Sequence, residues 1–267
     1  MSTYLEKIMA TTLLRMEERK AGADLGMMEM KANLHRPRGF IKRLRTVAET
    51  GPAVIAELKK ASPSKGVIRR EYHPAATAKS FQAVGAAALS VLTDEDYFQG
   101  SLADLRAVSD VVSIPVIRKD FILDSFQILE ARVAGADAIL LIVAAHDDAT
   151  LTRLADEAKR RGLDVLCEVH DREELDRAVQ LGFGMIGVNC RNLKTLAVNP
   201  ETHFELAAAL PAGVLRVAES GIRNVEDLER LRAAGYAAFL IGESLMRQPV
   251  PAAALALLTG IDYAVEI

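Results

Sequence analysis

Two lysines and three glutamates stand near the downstream ends of short apolar runs, and this placement suggests acid–base chemistry. Glu57 and Lys59 close the run Ala53–Leu58, Lys119 follows Val116–Arg118, Glu168 lies near the end of Asp164–Val169, and Glu219 ends Leu215–Glu219. Asn189 ends the run Met185–Asn189 in the same way. If each run is a β-strand, its side chains alternate between two faces. Glu57 and Lys59 then share a face with Ile55, Lys119 with Ile117, and Glu168 with Leu166, while Ala56, Leu58 and Cys167 face the other way. Six groups from five runs, two Lys, three Glu and one Asn, would meet at one rim. Ammonium and carboxylate groups so gathered can exchange protons and stabilise charge developing on a carbonyl oxygen. Burying so many charges is costly unless they pair or bind something. A structural ion-pair network closing the rim is the alternative; several ionisable groups at matching depth favour chemistry.

Two loops suit an anion. Glu219-Ser220-Gly221-Ile222-Arg223 follows one run, and Ile241-Gly242-Glu243-Ser244-Leu245-Met246 follows the last. Glycine lets backbone N–H groups approach a phosphate, and a short helix opening near Glu243 would direct its positive end inward. Gly221 and Gly242 would otherwise simply make tight turns. Glu243 is expected to contribute its backbone only, with its carboxylate turned to solvent. The segment Lys60-Ala-Ser-Pro-Ser-Lys-Gly66 is small, basic and turn-rich. It reads as a lid bringing charge and hydroxyls such as Ser62 to an anionic ligand, or as a solvated connection. Phe98 and Phe121 would wall an apolar pocket for a ring, or belong to the core. The five histidines show no metal-ligand spacing, the two cysteines form no Cys-x-x-Cys, and no Gly-x-Ser-x-Gly is present. No metal and no redox cofactor is expected.

The frame that positions these residues can be read from the rest of the chain. Its 267 residues carry 33 Lys+Arg against 36 Asp+Glu, and half are hydrophobic while 5% are aromatic, so the core is built mainly of Ala, Val, Leu and Ile. No surplus of cations is available for nucleic acid, and no apolar stretch is long enough for a membrane span. The charged first helix lacks a signal-peptide core, so a cytoplasmic protein is expected, working as a monomer or weak homo-oligomer. With Ala88–Leu92, Ala138–Val143 and Ala238–Ile241, the apolar runs number eight. Amphipathic stretches separate them, one opening on Asp171-Arg-Glu-Glu174, which reads as a capping box before Leu175 and Val179. Eight strand–helix repeats predict an α/β fold, a single (β/α)8 TIM barrel over residues 51–267. A doubly wound sheet needs fewer strands and usually carries a Gly-x-Gly-x-x-Gly that is missing here. Residues 1–50 form a helical extension. Tyr4–Lys20 has Leu5, Ile8, Met9, Leu13 and Met16 on one side and would cover one end of the barrel, or also the mouth of its active site. Residues 249–267 give a short Ala/Leu-rich helix and an apolar tail ending in Ile267, which would dock on the barrel or on a neighbour.

Several of these segments match known ones. Ile55-Ala-Glu-Leu-Lys-Lys-Ala-Ser-Pro-Ser-Lys-Gly66, Leu89-Ser-Val-Leu-Thr-Asp94, Phe98-Gln-Gly-Ser101, Arg118-Lys-Asp-Phe121, Glu168-Val-His170, Asn189-Cys-Arg-Asn-Leu-Lys194, Glu219-Ser-Gly-Ile222 and Ile241-Gly-Glu-Ser-Leu-Met246 closely resemble, in order, the indole-3-glycerol phosphate synthase family. The resemblance implies a cofactor-free carboxy-lyase of tryptophan biosynthesis. Such an enzyme closes the ring of 1-(2-carboxyphenylamino)-1-deoxyribulose 5-phosphate, a small phosphorylated substrate, with loss of carbon dioxide and water. It implies Lys119 as general acid on the ribulose carbonyl and Lys59 as a lysine for the substrate's carboxylate or phosphate and for proton donation in dehydration. Glu168 is implied as the acid/base carboxylate of later steps, with Glu57 and Asn189 in support. Ser220, Gly221, Gly242 and Glu243 match the phosphate side, with Ser220 also in the catalytic set, and Glu219 is a further substrate-binding residue. Phe98, Phe121, Leu140, Leu193 and Leu196 would line the anthranilate pocket, and Arg191 would support the site. Cys190 and Ser125 stand where Asn and Pro are usual, and Cys190 should face away from the site.

A free lysine titrates near a pKa of about 10.4, so Lys59 is expected to help lower the pKa of Lys119. Rival readings are a phosphoribosylanthranilate isomerase-like barrel, which needs no decarboxylation, a lyase in which Lys119 forms a Schiff base, and a non-catalytic sensor of a phosphorylated ligand. Intact Glu57, Lys59, Lys119 and Glu168 speak against the sensor, because binding alone needs no acid/base set.

Overall fold

The computed structural model describes residues 3–263. The predicted runs form the strands of one closed parallel barrel: β1 (Ala53–Leu58), β4 (Ala88–Leu92), β5 (Val116–Lys119), β6 (Ala138–Ile142), β7 (Asp164–Val169), β8 (Met185–Asn189), β9 (Leu215–Glu219) and β10 (Ala238–Ile241). Each pairs with its neighbours in chain order, and β1 closes the ring against β10, with Ala53 opposite Ala238 and Ile55 opposite Leu240. A small antiparallel hairpin, β2 (Ala61–Ser62) with β3 (Gly66–Val67), lies inside the segment read as a lid, so that segment is partly fixed by its own ladder.

The helices are α1 (Tyr4–Ala21), α2 (Leu25–Ala32), α3 (Phe40–Ala48), α4 (Pro74–Ala83), α5 (Leu102–Ser109), α6 (Ser125–Val133), α7 (Asp148–Arg160), α8 (Arg172–Gln180), α9 (Glu201–Ala207), α10 (Val225–Ala233), α11 (Glu243–Met246) and α12 (Pro251–Thr259). Strand alternation divides the core in two. Val54, Ala56, Leu58, Val116 and Cys167 pack outward under the helices, while Ala53, Ile55, Ile117, Leu140, Leu166, Val217 and Leu240 fill the barrel. α12 packs on α4 with Leu255 and Leu258 buried, and the tail end at Ile267 lies outside the described residues. Among the described residues no helix is long and apolar enough to cross a membrane.

Residues before β1 reach both ends of the barrel. α3 plugs the N-terminal end, where Phe40 and Leu44 are fully buried in one cluster with Ala53, Ala138, Met185 and Ala238. Asp137, wholly buried beside the plug, accepts from Arg38 Nη1 at 2.8 Å and from the Val116 N–H at 2.7 Å. α1 crosses toward the other end: Thr11 Oγ1 lies 3.1 Å from the Tyr97 hydroxyl, and Arg19 Nε donates to Glu130 Oε1 at 2.6 Å. Its buried face is Ile8, Thr12 and Met16, so the expected side holds at Ile8 and Met16 but not at Leu13, which is 42% exposed while Thr12 is buried. The helix seats on loops that offer polar partners, so contacts such as Arg19–Glu130, rather than apolar periodicity alone, set its rotation.

Candidate active site

All the residues singled out from the sequence border one cavity of about 910 Å³ at the C-terminal ends of the strands. Glu57, Lys59, Lys119, Glu168, Asn189 and Glu219 line it together with Ser62, Phe98, Phe121, Leu140, Arg191, Leu193, Leu196, Ser220, Gly221, Gly242 and Glu243. Lys119 Nζ donates to Glu168 Oε2 at 2.8 Å and lies 3.4 Å from Glu219 Oε2. Lys59 pairs with Glu57. The three carboxylates are all but sealed from solvent, at 2%, 1% and 1% exposure for Glu57, Glu168 and Glu219. Two glycines make room for them. A Cβ at Gly187 would lie 2.1 Å from Glu219 Oε1, and one at Gly242 would lie 2.2 Å from Glu57 Oε2.

The electrostatics overturn one expectation. Burial draws Lys119 toward its neutral form, but Glu168, Glu219 and Glu57 outweigh it and hold the ammonium pKa above the ordinary lysine value. Lys59 does not lower it; Lys59 pairs instead with Glu57, two residues before it in the chain. Lys119 is therefore cationic in the free site. Burial raises Glu168, yet Lys119 and His170 hold it well below the usual carboxylate range. Glu219 is the opposite case: burial, then the nearby Glu168, pushes it up to about 8 despite Lys119. Neither Glu219 oxygen makes a hydrogen bond. Two carboxylates in one buried site have been driven apart, one ionised and one protonated near neutrality.

Ser220 and Gly221 follow β9 with φ of 67° and 75°, both left-handed, a strained choice for the serine. Ser244 Oγ ties the next loop to this one by donating to the Ile222 carbonyl at 2.9 Å. Glu243 does not turn free to solvent as expected; its carboxylate lies 3.0 Å from Arg247 Nε and 3.7 Å from Arg191 Nη2. The two guanidiniums neutralise a charge that would otherwise oppose an anion. Arg191 also donates to the Leu196 carbonyl at 3.1 Å, and Asn189 Oδ1 accepts from the Arg191 N–H at 3.1 Å. Opposite, the Phe98 and Phe121 rings stand 6.4 Å apart and form an apolar wall with Leu140. Cys190 borders a neighbouring cavity instead of this one.

Tyr4, Leu5 and Ile8 of α1 border the cavity, so the extension reaches the mouth, the second of the two placements expected from the sequence. Sequence reasoning missed other contributors. Gly187 is a glycine inside a strand, and a glycine there often marks a close approach by another group. The Asp171-to-Glu174 capping box forms only in half: Asp171 Oδ1 accepts from the Glu174 N–H, but the Glu174 carboxylate turns to His170. Among the described residues no group of three or more His, Cys, Asp or Glu is arranged to hold a metal.

Comparison with known proteins agrees at two levels. In overall shape the chain resembles N-acetylmannosamine-6-phosphate 2-epimerase from Clostridium perfringens, with a TM-score of 0.59 and 15% identity over 75% of this chain and 91% of that one. It also resembles a single-substitution variant of mandelate oxidase, with a TM-score of 0.60 and 20% identity over 77% of this chain and 71% of that one. These likenesses speak for the barrel alone. In sequence, indole-3-glycerol phosphate synthase of Koribacter versatilis (strain Ellin345) is 57% identical over 260 residues, 97% of this chain and all of that protein. The sequence model described as "Indole-3-glycerol phosphate synthase" matches residues 5–258, the extension and the barrel together, and the chain belongs to that family.

Proposed function

We infer that this chain is an indole-3-glycerol phosphate synthase, a carboxy-lyase that closes the indole ring in tryptophan biosynthesis. Its substrate is 1-(2-carboxyphenylamino)-1-deoxyribulose 5-phosphate. One observation carries the chemistry: an ammonium, Lys119, charged in the free site and held between Glu168 and Glu219 on the cavity wall.

In this reading Lys119 donates its proton to the ribulose carbonyl oxygen as the ring carbon attacks the carbonyl carbon. A preorganised cation at that oxygen stabilises the charge that develops there. Carbon dioxide then leaves from the ring carbon that made the attack, and its bonding electrons restore the aromatic ring. Lys59 serves the substrate's carboxylate or phosphate and donates the proton that carries the hydroxyl away as water. Glu168 accepts the proton released in the later steps, with Glu57 and Asn189 orienting the groups around it. Glu219, protonated near neutrality, adds a hydrogen-bond donor without a second negative charge. Ser220, Gly221, Gly242 and the Glu243 backbone receive the phosphate, and Ser62 joins from the hairpin. Phe98, Phe121, Leu140, Leu193 and Leu196 hold the anthranilate ring, with Arg191 bracing the loop.

Incubation with the carboxyphenylamino substrate should yield indole fluorescence in step with carbon dioxide release. No fluorescent product would favour a sensor of phosphorylated ligands instead. Borohydride added during turnover should trap no adduct on Lys119.

A further inference from the structure

His170 is a buried ionisable side chain to which the reaction above gives no work. It stands two residues beyond Glu168, so strand alternation turns both to the same side. Its Nε2 lies 3.3 Å from Glu168 Oε1, while the other oxygen, Oε2, accepts from Lys119. On the far side of the ring, Nδ1 lies 3.0 Å from Glu174 Oε2, and the His170 backbone N–H donates to that oxygen at 2.8 Å. Both ring nitrogens thus face carboxylate oxygens, Nδ1 in hydrogen-bond geometry and Nε2 at ion-pair distance without a hydrogen bond, an arrangement that suits an imidazolium between two anions. Lys119, Glu168, His170 and Glu174 form a row of alternating charge.

Glu174 adds a second, separate observation. After Asp171 it is placed to complete a reciprocal helix cap by reaching back to the Asp171 N–H. It reaches past that group and braces the histidine instead.

We propose that His170, braced by Glu174, is a positioning residue for Glu168: the imidazolium stands beside Oε1 as its ion-pair partner, keeps the carboxylate ionised and leaves Oε2 aimed into the cavity. This rests on the acid/base role given to Glu168 above. When Lys119 commits its proton to the substrate carbonyl, His170 is the cation that Glu168 retains. Burial opposes charge on the ring, but Glu168 and Glu174 outweigh it and push His170 up to about 10. A second cavity of about 690 Å³ adjoins the ring and is bordered by Glu6, Asp171 and Glu173 against Arg177, Arg191 and Lys194. Their signs cancel, so the two direct partners decide.

The test is kcat and KM against pH for the wild type, His170→Asn, Glu174→Gln, Glu168→Gln and the double variant His170→Asn/Glu168→Gln, with circular dichroism as a check of fold. Loss of the cation raises the Glu168 pKa, so the acid limb of kcat in His170→Asn should move up by about one pH unit or more. At neutral pH kcat should fall about 10- to 100-fold, with KM within about threefold. Glu174→Gln should move the limb the same way by less. In the Glu168→Gln background, His170→Asn should cost less than about twofold more, because it acts through the missing group. Nitrogen-15 NMR of the free wild-type enzyme at pH 8 should find the ring as imidazolium, and Glu174→Gln should lower its titration; this arm carries the test if His170→Asn does not fold. An unmoved acid limb, additive losses in the double variant or a neutral ring at pH 8 would each overturn the proposal while Glu168→Gln stays inactive. Wild-type turnover in Glu168→Gln would instead remove Glu168 from the chemistry, and the proposal with it.

Discussion

At one end of the barrel, Phe40 and Leu44 are fully buried against alanines and other apolar residues that begin the strands. At the other, the same strands finish in Glu57, Lys119, Glu168, Asn189 and Glu219 around an open cavity. Both ends are covered by helices of the N-terminal extension, so covering alone does not distinguish them. The difference lies in what is buried. The plugged end removes apolar area from water, which is favourable in itself. The cavity end seals carboxylates whose desolvation is only partly repaid by two lysines and a histidine. Where Asp137 is buried at the plugged end, it is satisfied by Arg38 and a backbone N–H; at the cavity end both Glu219 oxygens go without hydrogen bonds. Stability is therefore concentrated at one end, and unsatisfied potential for chemistry at the other.

The largest test of that contrast is Lys119→Ala. Turnover measured by indole fluorescence should fall by about 10³-fold or more with the circular dichroism spectrum unchanged. Near wild-type turnover would remove Lys119 from its role. At the opposite end, Phe40→Ala should cost about 3–5 kcal/mol and lower Tm by roughly 10 °C, with kcat at 25 °C within about twofold. A large loss of kcat there would mean that the two ends are coupled.

The pH dependence of stability should separate the ends next. Asp137 is held below its unfolded value near 3.8, so its contribution is full above that value and is lost as pH falls through its lowered folded pKa. Asp137→Asn should flatten that acid branch in thermal melts. Glu219 runs the other way: raised from 4.5 to about 8, it keeps a proton in the native state that the unfolded chain releases. Stability therefore declines as pH rises across that window, and Glu219→Gln should outmelt the wild type by a few degrees above about pH 8. Parallel Tm–pH curves for variant and wild type would show that this carboxyl costs the fold nothing.

The smallest expected effects concern the seating of α1. Arg19→Ala removes a partner of the buried Glu130 and should lower Tm by a few degrees and raise KM several-fold. Arg15→Ala, which breaks only an exposed pair with Asp96, should change neither measurably. Equal effects would mean that the helix is held by its apolar face alone.

Much of this was legible in the chain because strand periodicity is strict. Once Ile55 faces the barrel, Glu57 must as well, and the same rule places Lys119 after Ile117 and Glu168 after Leu166. Lateral relations were not legible. Periodicity along a strand says nothing of which side chain meets its neighbour across the ring, so the carboxylates of Glu168 and Glu219 that hold Lys119 charged became visible only in three dimensions. On α1 the apolar pattern holds at Ile8 and Met16 and fails at Leu13, which is exposed while Thr12 is buried beside the loop whose Tyr97 hydroxyl meets Thr11. Glu174 shows the limit of local motifs: Asp171 caps as its type predicts, while its expected partner answers to a longer-range demand from His170.

The two-ended reach of residues 3–50 also bears on the order in which the molecule assembles. Phe40 docks on Ala53, Ala138, Met185 and Ala238, and Arg19 on Glu130, so neither helix has a seat until segments far apart in the chain have met. Contacts of such long sequence separation are entropically late. The segment must stay solvated until the ring has closed, and then fastens it from above and below, like a strap buckled over a finished cask.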